Sequence, residues 1–392
     1  MTQSKHTTVA TQTGPERALL VGVDWRRREG SALSAEDSLA ELEALAQSAG
    51  ADVVDRQMQV RERADSAYLI GPGKVDEIAG LVQGFEIDVV IFDHELSPTQ
   101  LRNLEKKFEV RVVDRTQLIL DIFASRARTR EGQLQVELAQ LQYLLPRLSG
   151  KGASMSGQAG GIGTKGPGET KLETDRRRIR ARLAQLERSI EAVRGTRGTQ
   201  RRQRQSVPLQ TVALVGYTNA GKSTLFNSLT RADVYAADQL FATLDTTTRK
   251  VHTGYAAGVV LSDTVGFIRR LPHMLVAAFR ATLEETVHAD VLLHVVDASS
   301  SDRDAQIEAV NLVLKEIGAD TIPQVLVYNK IDLTAFPPRV EADECGKITR
   351  VWISAAKGQG LDLLRNALGQ LAESAFMATA VATADGNRVA AA

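Results

Sequence analysis

The chain has 392 residues, 43% of them hydrophobic and 24% charged, with 48 Lys+Arg against 48 Asp+Glu and one cysteine, Cys345. That length suits two or three domains with real cores, and a single cysteine excludes an internal disulfide or a cysteine-rich metal site. There is no apolar run near 18 residues, and the start from Met1 to Glu16 is polar, so the chain reads as cytoplasmic, without a signal peptide or integral membrane association.

Residues 1–17 read as a disordered start. Ala18 to Val23 then reads as a strand, and Ser34 with Asp37 makes a capping-box-like start for a helix to about Ala49. Strands follow near Val53 to Val60, Asp88 to Phe92 and Val110 to Val113, alternating with helices near Lys74 to Gly84 and Pro98 to Phe108. This predicts a small α/β domain over 18–115 with a parallel sheet. Gly71, Gly73 and Lys74 sit at a helix start, where a basic residue beside glycines can bind an anion, but the full phosphate-loop spacing is missing and a turn opening a helix is the favoured reading. His94 is isolated in sequence from other metal-type residues and reads as a loop histidine.

The segment 116–194 differs in kind. Leu134, Leu138, Leu141, Leu145 and Leu148 are spaced 4-3-4-3, and so are Ile179, Leu183, Leu186, Ile190 and Val193. Two such seams predict an antiparallel coiled-coil helical hairpin. Between them, 149–168 holds eight glycines, Lys151 and Lys165, and no acid. At about 1.5 Å per residue each arm projects this tip roughly 30 Å. From Arg147 to Arg204 there are 15 Lys+Arg and 5 Asp+Glu, a net of +10, which leaves the rest of the neutral chain at −10.

A charge run is often only a solvated face and a glycine loop only a linker. Here Arg176, Arg177, Arg178 and Arg180 crowd one helix beside an apolar seam, a pattern that fits a polyanion. Aromatics are nearly absent, which favours shape and phosphate contacts on structured RNA over base stacking, and RNA over DNA. Residues 195–208 read as a polar basic linker.

From 209 to 372 the pattern is an alternating β/α domain of the P-loop class. Thr211 to Val215 is an apolar strand that breaks into Gly216-Tyr217-Thr218-Asn219-Ala220-Gly221-Lys222-Ser223-Thr224, a G-x-x-x-x-G-K-S loop opening a helix. The glycines let backbone N–H groups face a phosphate, Lys222 reaches the β- and γ-phosphates, and the Ser223 hydroxyl suits Mg²⁺. Asp263-Thr-Val-Gly266 ends a strand as D-x-x-G, with Asp263 holding a water on Mg²⁺ and the Gly266 N–H meeting the γ-phosphate. The loop Leu240 to Arg249 is rich in threonine, and one hydroxyl should complete the Mg²⁺ shell: Thr243, or else Thr247. Lys222, Thr243 and Gly266 are the candidate catalytic groups.

The base is read further on. Asn329-Lys330-Ile-Asp332 is N-K-x-D after a strand, and the acceptor-only Asp332 carboxylate can take both N1–H and N2–H₂ of guanine. Adenine would leave that carboxylate unpaired, a mismatch worth about 10⁴-fold or more in such sites. Ser354, Ala355 and Ala356 follow another strand, where a backbone N–H near Ala355 can reach guanine O6. The residue after D-x-x-G, a water-orienting glutamine in Ras-like enzymes, is Phe267, so slow hydrolysis by the isolated chain is predicted. Residues 373–392 are low in complexity and read as a disordered tail.

With these parts assembled, the chain resembles the HflX family of bacterial ribosome-associated GTPases over roughly residues 18 to 371. The marks are Gly157-Gln-Ala-Gly-Gly-Ile-Gly-Thr-Lys-Gly-Pro-Gly-Glu-Thr170, Asp238-Gln-Leu-Phe-Ala-Thr-Leu-Asp-Thr-Thr-Thr-Arg249 and Asp263-Thr-Val-Gly-Phe267. The resemblance implies a monomeric factor that binds the 23S rRNA of the large ribosomal subunit and splits stalled or idle ribosomes under stress, its hairpin tip reaching toward the peptidyl transferase centre. It also implies that Asn329 braces the loops, that the Lys330 stem lies along the base, and that the ribosome stimulates a low intrinsic GTPase. Family members are said to bind ATP through the N-terminal domain, for which Gly71, Gly73 and Lys74 are the candidates here. Many members carry a further folded C-terminal domain. The competing reading is a GTP-gated RNA-binding assembly or placeholder factor for the large subunit that does not split ribosomes. A membrane GTPase would need a lipid anchor or an amphipathic basic helix, whereas the basic helices here carry seams.

Overall fold

The computed structural model describes residues 14–25, 35–148, 167–205, 209–230, 240–253, 258–272, 275 and 280–373. The glycine-rich tip with Lys151 and Lys165, the helix start at Ser34, residues 1–13 and the tail from 374 lie outside the described residues. The chain divides into two compact units, Met1–Ile122 and Phe123–Ala392.

In the first unit β1 (Arg17–Trp25), β2 (Asp52–Arg61), β3 (Val89–Phe92) and β4 (Arg111–Asp114) form a sheet in the order β2-β1-β3-β4, every pair parallel. The buried run from Ala18 to Val21 is what a strand covered on both faces requires. Helices α1 (Ala35–Ser48), α2 (Pro72–Gly84) and α3 (Pro98–Phe108) supply the crossovers. Leu19, Val21, Ile78, Val90, Phe92 and Leu104 are buried in one core. The entry to α3 is a capping box: Ser97 Oγ accepts from Gln100 N–H while the Gln100 side chain accepts from Ser97 N–H, and Pro98 fills the first helical position. His94 accepts from the Trp25 indole N–H at 2.8 Å.

Helix α4 (Arg115–Arg126) leads into α5 (Arg130–Arg147), whose N-cap Thr129 accepts from Gly132 N–H, and α6 spans Pro167–Gln205. The middles of the two seams meet: Leu134, Leu138, Leu186 and Ile190 are buried together, with Leu141 and Leu183 against them. Arg182 grips Glu137 with two bonds of 2.6 and 2.8 Å, and this pairing holds the Glu137 carboxyl below its usual range. Leu145, Leu148, Ile179 and Val193 at the seam ends are only partly buried. Residues 195–205, read from sequence as linker, continue α6 as helix. Arginine and glutamine are good helix formers, and their run outweighs the cost of about 1 kcal/mol each for Gly195 and Gly198.

The rest of this unit is a seven-stranded sheet, order β10-β11-β9-β8-β5-β7-β6, comprising β5 (Gln210–Gly216), β6 (Thr247–Val251), β7 (Val259–Asp263), β8 (Val291–Asp297), β9 (Gln324–Asn329), β10 (Arg339–Ala342) and β11 (Ile348–Trp352). Only the two edge pairs, β6 with β7 and β10 with β11, are antiparallel. Helices α7 (Lys222–Thr230), α8 (Arg280–Val287), α9 (Arg303–Glu316) and α10 (361–373) accompany the sheet. Val212, Leu214, Phe226, Leu293, Val327 and Leu364 share its main core. Among the described residues no helix is long and apolar enough to cross a membrane.

Candidate nucleotide site

β5 lies between β7 and β8, so its C-terminal end opens where ligands bind in parallel α/β sheets. The chain turns there at Gly216 with φ +148°, and a Cβ on Gly216 would stand 2.2 Å from the Val295 carbonyl oxygen. Asn219 takes the left-handed region at φ 58°, Gly221 at φ +90°, and α7 starts at Lys222. The loop is therefore curled by backbone geometry that few other residues tolerate.

Lys222 is buried, and its Nζ donates to the carbonyls of Gly216 at 3.1 Å and Tyr217 at 2.8 Å. Burial lowers its pKa to about 8, with Asp263 opposing the shift. Ser223 Oγ donates to Asp263 Oδ2 at 2.7 Å and lies 2.6 Å from Thr243 Oγ1. Burial pushes the Asp263 carboxyl up, against the Ser223 hydroxyl and the Lys222 charge, and its second oxygen meets no hydrogen-bond partner among the described residues. Two hydroxyls and a carboxylate from three separate segments thus converge, an all-oxygen set that fits the hard Mg²⁺ ion. Thr247, the other candidate, begins β6 opposite Asp263 in the ladder.

The D-x-x-G segment is stapled to the loop by backbone. Phe267 N–H donates to Gly216 O at 3.1 Å, and Thr218 N–H donates to Phe267 O at 2.7 Å. Gly266 is wedged so tightly that a Cβ would meet Thr218 Cγ2 at 2.8 Å and Lys222 Nζ at 3.1 Å. The Phe267 side chain is buried and does not line the pocket formed by Thr218, Asn219, Gly221, Lys222, Ser223, Thr224, Phe241, Ala242, Thr243, Thr264 and Gly266. Phe241 and Ala242 were not singled out from sequence; the signal available was only their position beside Thr243. Phe241 has φ 56° and packs edge-on against Phe123, ring centroids 4.7 Å apart.

At the other end Asn329 links two loops: its Nδ2 donates to Ala220 O, and its Oδ1 accepts from Ala355 N–H, both at 2.9 Å. The Ala355 N–H, read from sequence as a donor toward O6, is therefore engaged by Asn329. Lys330 stands at φ 62° with Nζ 2.8 Å from Asp297 Oδ2. Asp332 is exposed, and its Oδ1 accepts from the Ser354 hydroxyl at 2.5 Å.

Three family models match in series: "GTP-binding GTPase N-terminal" over 36–124, "GTP-binding GTPase Middle Region" over 126–204 and "50S ribosome-binding GTPase" over 211–330. The chain is 54% identical over 333 residues to GTPase HflX of Escherichia coli strain K12, covering 85% of this chain and 78% of that one. It belongs to the HflX GTPase family. GTPase HflX of Alkalihalophilus pseudofirmus is likewise 54% identical over 317 residues, covering 81% and 74%. A solved GTP-binding protein from the archaeon Sulfolobus solfataricus, in complex with GDP, aligns over 92% of this chain and 99% of its own at 25% identity and TM-score 0.46.

As an HflX GTPase the chain binds and hydrolyses GTP. Its arginine cluster lies on α6: Arg176 is partly buried, Arg177 exposed, and Arg178 and Arg180 keep 79% and 59% of their side-chain surface, with long ion pairs of 3.8 Å to Asp175 and 3.7 Å to Glu173 among the described residues. The Gly71–Lys74 turn looks different from a phosphate site. Gly71 N–H donates to Gln59 Oε1 at 2.8 Å, and Lys74 is held by Gln57 at 2.6 Å and Glu77 at 2.7 Å.

Proposed function

We propose that this HflX GTPase engages the 23S rRNA of the large ribosomal subunit in the cytoplasm and dissociates stalled or idle ribosomes when loaded with GTP. The observation that carries the reading is the exposed arginine cluster Arg177, Arg178 and Arg180 on α6, in the same unit as a nucleotide site whose span matches the 50S ribosome-binding GTPase model. Phosphate contacts from such a face are independent of sequence and suit structured RNA. In sequence, Lys151 and Lys165 add to the same basic charge.

In this reading the N–H groups of Gly216 to Thr224 surround the phosphates, Lys222 meets the β- and γ-phosphates, and Gly266 N–H meets the γ-phosphate. Ser223 and Thr243 hold Mg²⁺, with Asp263 acting through a water. When bound, the ion neutralises charge that develops on the phosphate oxygens. Asp332 reads guanine, Lys330 lies along its plane, Asn329 braces the loops, and the loop of Ser354, Ala355 and Ala356 faces O6, the N–H of Ala356 being the next donor after the one Asn329 occupies. ATP is left out, because Lys74 is already paired with Gln57 and Glu77.

Sedimentation tests the claim. Adding GTP-loaded protein to intact 70S particles should move material into the subunit peaks, and an unchanged subunit ratio overturns splitting.

A further inference from the structure

Asp245, two residues beyond Thr243, reaches across to the start of α5. Its Oδ2 accepts from the backbone N–H groups of Arg128 and Thr129, each at 2.9 Å, and its Oδ1 accepts from the Thr129 hydroxyl. Thr129 in turn caps α5 by accepting from Gly132 N–H at 3.0 Å. A carboxylate here lies at a helix N-terminus, where negative charge is favoured. Gly132 leaves room for it: a Cβ there would lie 2.4 Å from Asp245 Oδ1. On the other side of Thr243, Phe241 packs edge-on against Phe123 of α4, the helix that leads into α5. The segment that carries the Thr243 hydroxyl to Ser223 is thus tied on one flank to the start of α5 and on the other to α4, and α5 bears Leu134 and Leu138 of the stripe shared with α6.

We propose that Asp245 is a positioning residue for Mg²⁺-dependent GTP binding: by accepting from the start of α5 it holds Thr243 at Ser223, and it couples the nucleotide site to the α5–α6 pair. The proposal rests on the reading of Thr243 as a Mg²⁺ ligand. Coupling of this kind is reciprocal, so an event that shifts the start of α5 changes affinity for the triphosphate, and triphosphate binding stabilises one placement of α5.

The test uses the full chain with fluorescent mant-GTP and mant-GDP, each titrated at several Mg²⁺ concentrations. Asp245→Ala should weaken Mg²⁺-dependent GTP binding by about tenfold while changing GDP binding by less than about twofold, since the Thr243 contribution is lost and the loop around Lys222 is untouched. Asp245→Asn keeps one acceptor and should recover part of the loss. Gly132→Ala keeps the Asp245 side chain but displaces its carboxylate, and should copy Asp245→Ala. Equal losses for GTP and GDP, or no change in the Mg²⁺ dependence of Asp245→Ala and Gly132→Ala, overturn the proposal. Thr243→Ala separates the two readings: if it raises the Mg²⁺ requirement while the Asp245 and Gly132 variants do not, the positioning role fails alone, and if Thr243→Ala changes nothing, the ligand reading fails beneath it. Circular dichroism melts of each variant identify any that has lost its fold, and the remaining variants then decide.

Discussion

Ser223 and Thr243 are 20 positions apart in the chain, and their hydroxyl oxygens are 2.6 Å apart. One belongs to the first turn of α7 and the other to a loop that no ladder bond holds at Thr243, so their meeting is a property of the fold and not of either motif. Asp263 completes the group from the end of β7 through its 2.7 Å bond to Ser223.

This predicts an asymmetry between two threonines. Ser223→Ala and Thr243→Ala should each weaken Mg²⁺-dependent GTP binding by about 10- to 100-fold, the range for a hydrogen-bonding group opposite a charge. Thr247→Ala, at the start of β6, should change it little. Calorimetric titration with and without Mg²⁺ measures all three, and a larger effect at Thr247 than at Thr243 would reverse the assignment.

Asp332 is exposed, with one oxygen fixed by Ser354 at 2.5 Å, so its carboxylate is oriented before any base arrives. Asp332→Asn exchanges an acceptor for a donor and should shift preference from guanosine to xanthosine nucleotides, because xanthine carries a carbonyl where guanine carries an amine. Competition between GTP and XTP for the variant reads the outcome. Retained guanine preference contradicts the base-reading role.

Phe267 follows the D-x-x-G glycine, but its side chain is core while its backbone bonds Gly216 and Thr218. Phe267→Gln should not yield a Ras-like rate. It should instead cost about 3 kcal/mol of stability, from lost apolar burial and a buried amide. Single-turnover hydrolysis and denaturant unfolding measure both, and a faster, stable variant would show that the side chain can turn into the site.

The local parts of this architecture were legible because each needs only a few neighbouring residues. An apolar run that breaks at Gly216 and resumes after Lys222 has few other folds available, and the alternation around Ala18, Asp88 and Val110 gave a parallel sheet in the same way. Pairings between distant segments were not legible. Nothing in the spacing says that Asp245 caps α5, or that the Ala355 N–H bonds Asn329, because those partners are chosen by tertiary placement. Residues 195–205 differ for another reason: polar, basic composition reads as linker, while arginine and glutamine are also good helix formers and the helix runs on through them.

His294 gives the chain a predicted acid sensitivity. It sits on β8 between Val215 of β5 and Leu326 of β9, it is 1% exposed, and both ring nitrogens are shut off from water. Burial is the main cause of a pKa lowered from 6.5 to about 4, a shift that the Gln324 side chain opposes by hydrogen bonding and the Lys222 charge reinforces. The unfolded chain therefore binds a proton at this site in a range where the folded chain does not, and stability rises with pH across that window. The contribution is whole above pH 6.5, falls as pH drops toward 4, and has no slope below that, where both states are protonated. The total penalty is about 3 kcal/mol, of which about 2 kcal/mol has accrued by pH 5. His294→Leu keeps an apolar side chain of similar reach in the sheet and removes the titration. Unfolding free energies at pH 7 and pH 5 should then differ by about 2 kcal/mol less in the variant than in the parent. Parallel pH profiles for the two proteins would show that His294 is not the buried group that acid must charge.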